Sequence, residues 1–383
     1  MISTWSFPTR ILHGEGAVEL VGAEARSLGG RRALIVTDPG VRAAGLLTRI
    51  EASLDAAGIA YEVFDGVSSN PLEAEALSGA AAFRDAGADM ILGVGGGSPL
   101  DVSKLVRLLA AHRPPLEQYD DARGGAEKIT EPMPPLVTIP TTAGTGSEVG
   151  RSAVVTIQAT NKKTVIFSPR LLADVAILDP ELTLGMPPHI TAATGMDALT
   201  HCFEAYCAKG HHPMADAIAL AGLELAGRHL ERAFRDGNDV EARSAMLEAS
   251  MMGAVAFQKG LGACHSMAHP LSTEFGIHHG LANALCLPSV IEFNRVVAQA
   301  RIARAARALG VRESDVETLA FECAGAVRKL RQTLGLPGGL AEVGVPEEAL
   351  PRLAELAFED PCHANNPRAC TVDDFLSLYK SAY

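Results

Sequence analysis

Metal-binding side chains lie inside apolar helical sequence, and that conflict constrains the fold more than any other feature. Asp197 and His201 stand four residues apart in ATGMDALTHCFEAY. His265 and His269 stand four apart in GACHSMAHPL, and His279 follows in HHG. The Ala, Leu and Met content of both stretches predicts helix. On a helix, residues i and i+4 share one face. Burying such polar groups without partners costs about 1–3 kcal/mol each. Two helices must therefore aim these side chains at a common point, and a divalent cation there removes the cost. Imidazole with carboxylate favours Fe, Zn, Mn, Co or Ni over Ca or Mg. The absence of cysteine from the set argues against a closed structural zinc site. An open position for a substrate oxygen fits Lewis-acid chemistry. His211, His212 and His229 read as ordinary surface histidines.

The first half of the chain has a different grammar. Short apolar runs at Arg32–Thr37, Ala60–Phe64, Met90–Val94 and Leu136–Ile139 alternate with helical periodicity over Arg42–Ala57, Leu72–Ala86 and Pro99–Ala111. This alternation predicts a parallel sheet covered on both faces. Ala153–Ile157 and Thr164–Ile166 read as a hairpin turning at Asn161, and Ala176–Leu178 continues the β-rich region. Asp-Pro and Pro-Pro punctuate Asp179–Pro188, and beyond Ile190 nearly everything reads as helix. The expected organisation is an α/β domain over residues 1–185 and a helical, metal-binding domain over 186–383. A length of 383 residues suits two domains.

Ligands of such sheets bind beyond the carboxyl ends of the strands. Gly95-Gly96-Gly97-Ser98 follows a strand and opens a helix, where glycine lets the backbone approach a phosphate at the helix N-terminus. Neither GxxxxGK[ST] nor GxGxxG is present. Thr141-Thr142-Ala143-Gly144-Thr145-Gly146-Ser147 ends another strand with a row of donors for ribose, phosphate or base. Asp38, at the end of the first strand run, is either a turn-initiating Asp before Pro or an acceptor for a ribose 2′-hydroxyl that repels a 2′-phosphate.

Composition bounds the rest. A net charge of −12 argues against nucleic acid and anionic membrane surfaces as partners. The seven cysteines (Cys202, Cys207, Cys264, Cys286, Cys323, Cys362, Cys370) are scattered, with no CxxC pair, as expected of buried thiols in a reducing compartment. MISTWSFPTRILHGEG has no apolar core of signal-peptide length, and no stretch reads as the ~20 apolar residues of a membrane span. A cytoplasmic location is the expectation.

Six motifs in register carry a resemblance over essentially the whole chain: GGGSPLDVSK (Gly95–Lys104), IPTTAGTGSEV (Ile139–Val149), DPELT (Asp179–Thr183), TGMDALTH (Thr194–His201), HSMAHP (His265–Pro270) and HHGLANALCLP (His278–Pro288). The set resembles the iron-containing (group III) alcohol dehydrogenase family. The resemblance implies a Rossmann-like dinucleotide-binding α/β domain, an all-α metal-binding domain, and a dehydroquinate synthase-like architecture. By it, Asp197, His201, His265 and His279 match the ligands of Fe(II), or Zn(II). His269 matches a further histidine near substrate and nicotinamide, acting either as a proton relay or by orienting its neighbours. Gly96, Gly97 and Ser98 match the pyrophosphate loop of NAD, with Asp101 beside it. Thr141, Thr142 and Thr145 match nucleotide contacts, and Lys163, with Lys162 as the register alternative, matches the lysine near the nicotinamide ribose. Asp38 matches the position that carries Asp in members preferring NAD. The implied partner is a small alcohol or aldehyde, and the implied assembly a homodimer or larger.

The chain departs from the family pattern at Ser272, where glycine is commoner, and at Gly150 and Ser152, where Thr and Asn often stand. AFQKGLG (Ala256–Gly262), Arg151 and CHANNPRA (Cys362–Ala369) look most like the 4-hydroxybutyrate dehydrogenase branch. A hydroxy-acid carboxylate needs a cation, and Arg151 and Lys259 are the candidates. The competing readings are a sugar-phosphate cyclase of the dehydroquinate synthase type and a non-catalytic metal or nucleotide sensor.

Overall fold

The computed structural model describes residues 7, 9–160 and 162–383; Asn161, the expected hairpin turn, lies outside the described residues. In chain order the elements are β1 (Arg10–His13), α1 (Val21–Ser27), β2 (Arg32–Val36), α2 (Pro39–Ala43), α3 (Leu47–Ala57), β3 (Ala60–Phe64), α4 (Glu73–Asp85), β4 (Met90–Gly95) and α5 (Gly97–Ala111). There follow β5 (Leu136–Pro140), β6 (Ser152–Ile157), β7 (Lys162–Phe167) and β8 (Val175–Leu178). The remainder is helical: α6 (Pro188–Cys207), α7 (Pro213–Arg235), α8 (Val240–Ala256), α9 (Ala263–Phe275), α10 (His279–Ala308), α11 (Val316–Thr333), α12 (Leu350–Glu359) and α13 (Val372–Ala382).

The chain forms two compact units. One comprises Phe7–Thr142 and Gly146–Thr183; the other comprises Leu184–Tyr383 together with the short loop Ala143–Thr145. The expected 1–185 and 186–383 division did not foresee that loop's allegiance.

In the α/β unit, six strands make one parallel sheet in the order β1-β8-β5-β4-β2-β3. The inner strands β8, β5, β4 and β2 are apolar runs because both faces are covered, whereas the edge strands β1 and β3 are partly exposed. Alternate residues of β2 serve opposite faces: Ala33 and Ile35 pack with Val21, Ile50 and Leu54 of α1 and α3, whereas Leu34 and Val36 pack with Phe83 of α4 and Val102 and Val106 of α5. The strand order turns back between β2 and β4, so the loops after these strands flank a switch point. β6 and β7 pair antiparallel as a separate hairpin, with Thr156 opposite Lys163.

Two boundaries differ from expectation. The helical stretch after β2 divides at Gly45, which adopts φ +73°, so α2 and α3 are distinct. α5 begins at Gly97, not Pro99, and this places the glycine loop itself at the helix N-terminus.

In the helical unit, α6 is nearly all buried and packs against α7, α8 and α10. α10 does have the length and apolarity of a membrane span, contrary to the sequence expectation; 67% of its apolar window is buried, chiefly against other helices. His212 is buried rather than superficial. Its Nδ1 accepts from the Ala215 N–H at 3.2 Å and caps α7.

Candidate metal and nucleotide sites

Ligand-bearing residues reach one point because α6 and α9 both pack against α10. α6 presents Asp197 and His201, α9 presents His265, and His279 is the first residue of α10. Gly280 lies so close to α6 that a Cβ there would stand 2.0 Å from the Ala193 carbonyl oxygen. Gly253 of α8 likewise abuts His201. One carboxylate oxygen and three imidazole nitrogens come within 4.8 Å of one another.

The surrounding residues fix which nitrogens face inward. Glu204 accepts from His265 Nδ1 at 2.6 Å and from the Cys264 N–H at 2.7 Å. His201 Nδ1 donates to the Gly144 carbonyl at 3.3 Å. Asn283 donates through Nδ2 to Asp197 Oδ1 at 2.8 Å, and the same nitrogen lies 3.3 Å from His265 Nε2 and 3.2 Å from His279 Nε2. His265 Nε2 carries a bare lone pair, because its proton is held on Nδ1 by Glu204, and Asn283 presents a donor rather than an acceptor to His279 Nε2. His279 Nδ1 is buried with no partner among the described residues.

The electrostatics suit a cation. Burial alone would raise Asp197, but His201, His279, His265 and the Asn283 N–H hold it at about 2. Burial pushes His201 down to about 4 against the opposing Asp197 charge. Burial also takes His279 well below the usual value. His265 is raised, because Glu204 and Asp197 outweigh its burial. An anionic carboxylate with bare imidazole nitrogens is the donor set of a divalent transition metal, and the residues fit such an ion. His269 is not in this set. Its ring stacks on His279 at 5.3 Å, and its Nδ1 donates to Asp360 at 2.7 Å.

Sequence reasoning missed Glu204, Asn283 and Asp360. Glu204 had a signal, since 197, 201 and 204 share a helix face, and Asn283 stands one turn after His279. Asp360 had none, being 91 residues from its partner.

In the α/β unit, the loops after β2, β4 and β5 meet at Gly95. The Thr141 N–H donates to the Gly95 carbonyl at 3.0 Å. A Cβ on Gly95, whose φ is +144°, would lie 3.3 Å from Asp38 Oδ2, and one on Gly96 would lie 3.4 Å from Thr142 Oγ1. Gly96 and Gly97 open α5, and the Ser98 hydroxyl donates to the Ser69 carbonyl at 2.9 Å. Asp38 caps α2 by accepting from the Val41 N–H at 2.9 Å. Its other oxygen is the one that looks toward Gly95.

Other expected residues stand differently. Thr145 belongs to the helical unit, with Gly144. Asp101 is committed within the fold, accepting from Ser147 Oγ at 2.6 Å and the Val154 N–H at 2.9 Å, so that its carboxylate braces α5 against β6. Lys163 and Lys162 are exposed on β7. Lys259 is not available as a carboxylate clamp. It is buried, donates to the Tyr206 carbonyl at 3.0 Å and pairs with Asp216, which Arg301 also holds. Arg151 is half-buried, with its guanidinium 5.4 Å from the centre of the Phe167 ring.

A six-stranded parallel sheet with a glycine loop at its switch point, and a helical unit holding one carboxylate and three imidazoles, define a metal-dependent oxidoreductase. The comparisons agree with that class. Residues 8–180 match the iron-containing alcohol dehydrogenase family, and residues 191–383 match the C-terminal part of the Fe-containing alcohol dehydrogenase family. The chain belongs to the iron-containing alcohol dehydrogenase family. It is 44% identical over 377 residues to 4-hydroxybutyrate dehydrogenase of Cupriavidus necator, covering 96% of each chain. It is 36% identical to NAD-dependent methanol dehydrogenase of Bacillus methanolicus, covering 100% of each. A solved 1,3-propanediol oxidoreductase superimposes with a TM-score of 0.96 at 38% identity, covering 100% of each chain. The chain is thus a dehydrogenase by family, not a cyclase or a sensor.

Proposed function

We propose that the protein oxidises a short primary alcohol carrying a second polar terminus, 4-hydroxybutyrate foremost, with NAD as acceptor, and runs the reverse aldehyde reduction. The observation that carries the reading is the convergence of Asp197, His201, His265 and His279, with the bare Nε2 of His265 among the donor atoms. Fe(II), or Zn(II) in its place, would be held there and would supply a Lewis acid that lowers the pKa of a bound hydroxyl. NAD, held by Asp38, Gly96, Gly97, Ser98, Thr141 and Thr142, would supply the hydride acceptor.

The protein's own residues supply position and proton handling. Glu204 keeps His265 in its Nδ1–H tautomer and so keeps Nε2 bare. Asn283 orients Asp197. Asp360 holds the Nδ1 proton of His269, which leaves Nε2 as the atom able to accept the alcohol proton. The relative from Cupriavidus necator supports the hydroxy-acid substrate, and the methanol dehydrogenase supports NAD. With Lys259 committed to Asp216, Arg151 is the remaining candidate for the substrate carboxylate. We further propose a cytoplasmic homodimer or larger assembly with no nucleic-acid or membrane partner, in keeping with a net charge of −12.

The test is NADH formation, with an NADP control, by anaerobically Fe(II)-loaded enzyme on 4-hydroxybutyrate, 1,3-propanediol and methanol. Turnover of 4-hydroxybutyrate with the highest kcat/KM is expected. An Arg151→Ala variant should raise KM for the hydroxy acid and leave that for the diol unchanged. Preference for the diol, insensitive to Arg151, would discard the carboxylate clamp.

A further inference from the structure

Beyond α12 the chain turns at Asp360-Pro361-Cys362, and the Asp360 side chain caps the turn by accepting from the Cys362 N–H at 2.9 Å. α12 and this turn both pack on α9. The packing brings a carboxylate and a thiol against His269. One donor atom from each of His269, Asp360 and Cys362 lies within 4.8 Å of the others. All three residues are partly exposed.

The trio differs from the four-residue site in chemistry as well as in place. It contains sulfur, and the other site contains none. Asp360 Oδ1 is already filled by Ser266 Oγ at 2.8 Å and by the Cys362 N–H. Oδ2 accepts from His269 Nδ1 at 2.7 Å, and the Cys362 thiol also hydrogen-bonds the Asp360 carboxylate, so a cation held by all three would replace two hydrogen bonds to that carboxylate. Nitrogen, oxygen and sulfur donors at this spacing, with one face open, are a three-ligand set for a tetrahedral cation. Thiolate selects borderline and soft ions over Fe(II).

We propose that His269, Asp360 and Cys362 form a second, inhibitory site for a thiophilic divalent cation of the Zn2+ or Cd2+ type. Binding releases one proton to solvent and moves a second within the site. One leaves Cys362 Sγ as the metal–sulfur bond forms. The other leaves His269 Nδ1 and reappears on Nε2, so the imidazole stays neutral with its tautomer reversed. Burial and the Asp360 charge hold the Cys362 thiol well above its usual range, so the cation's own charge must displace that proton. Once bound, the cation leaves His269 with a donor where it had an acceptor. Because His269 Nε2 can then no longer accept the alcohol proton, and because the two donor sets share no residue, occupation of the second site stops turnover without removing the first ion.

The experiment titrates Cd2+ and Zn2+ into the intact Fe(II)-loaded protein and its Cys362→Ala variant, anaerobically. Cd2+ is read by the ultraviolet charge-transfer band of a cadmium–thiolate bond. Zn2+ is read by inhibition, with the iron content of the desalted protein measured alongside. In the wild-type protein a single extra Cd2+ should bind with the thiolate band, and Zn2+ should inhibit while the iron is retained. In Cys362→Ala the band should vanish, and inhibition should need about 10–100-fold more Zn2+, with the zinc-free kcat unchanged. An equal band in the variant, undiminished inhibition, or iron loss matching the inhibition would overturn the proposal. Should Cys362→Ala fold poorly, Cys362→Ser, which keeps the volume and replaces the thiol by a hydroxyl, takes its place in the same titrations with the same expected losses.

Discussion

Glu204→Gln tests whether the second ring of residues, and not the ligands alone, sets metal affinity. Among the described residues the Glu204 carboxylate faces only donors: the Cys264 N–H at 2.7 Å, the His265 N–H at 3.3 Å and His265 Nδ1 at 2.6 Å. A glutamine of the same size has one acceptor oxygen and one NH2. If its oxygen stays on Cys264, its NH2 meets His265 Nδ1, which must then give up its proton. The proton moves to Nε2, the atom that should face the metal, and the ligand is lost. If the amide turns instead, its NH2 meets the Cys264 N–H, a buried donor that has no second tautomer. Leaving such a donor unpaired costs about 1–3 kcal/mol. Either route predicts metal affinity about 10–100-fold weaker. The assay is competition for Fe(II) or Zn(II) against a chromophoric chelator under anaerobic conditions. Circular dichroism would verify that the fold survives. A folded variant that binds metal within about twofold of wild type, well short of the expected loss, would refute the tautomer argument.

Three further outcomes are expected. Asp38→Gly removes a carboxylate that would face a 2′-phosphate; at ~4 Å in a partly wet site this repulsion is about 1–4 kcal/mol, so the NADP/NAD ratio of kcat/KM should rise at least about tenfold. Glycine caps helices nearly as well, so stability should fall by only a few tenths of a kcal/mol, and an unchanged ratio would detach Asp38 from cofactor choice. Gly280→Ala places a Cβ 2.0 Å from the Ala193 oxygen and 3.1 Å from Asp197 Cβ, and should cost about 1–3 kcal/mol or more together with metal content, whereas exposed Gly325→Ala in α11 should be neutral or stabilising by about 0.5–1 kcal/mol. Glu148 is buried, with Oε1 lacking a partner among the described residues, and burial lifts it from 4.5 to about 7, opposed by Lys104. Between those values the folded chain keeps a proton that the unfolded chain releases, so stability falls as pH rises through that window. Glu148→Gln should therefore stabilise at pH 8 relative to pH 5 by up to roughly 3 kcal/mol, seen in urea unfolding at the two pH values; a pH-independent difference would refute it.

The sequence by itself determined the two grammars of the chain, because hydrophobic periodicity is local: a strand run such as Met90–Val94 and a helical run such as Thr194–Tyr206 differ over a few residues. It also determined the ligand candidates, since a pair four apart on a helix shares a face whatever surrounds it. It could not say where Asp101 and Lys259 would spend their charge. Each is bound by residues distant in the chain, Ser147 and Val154 in one case and Asp216 in the other, and only packing brings such partners together. His212 misled for the same reason, because a helix cap and a surface histidine look alike until burial is known. The tertiary structure alone decided the tautomers. Glu204 and Asp360 assign the protons of His265 and His269 through contacts of a few ångströms. The placement of those protons, more than the presence of the histidines, decides which nitrogens can hold a metal.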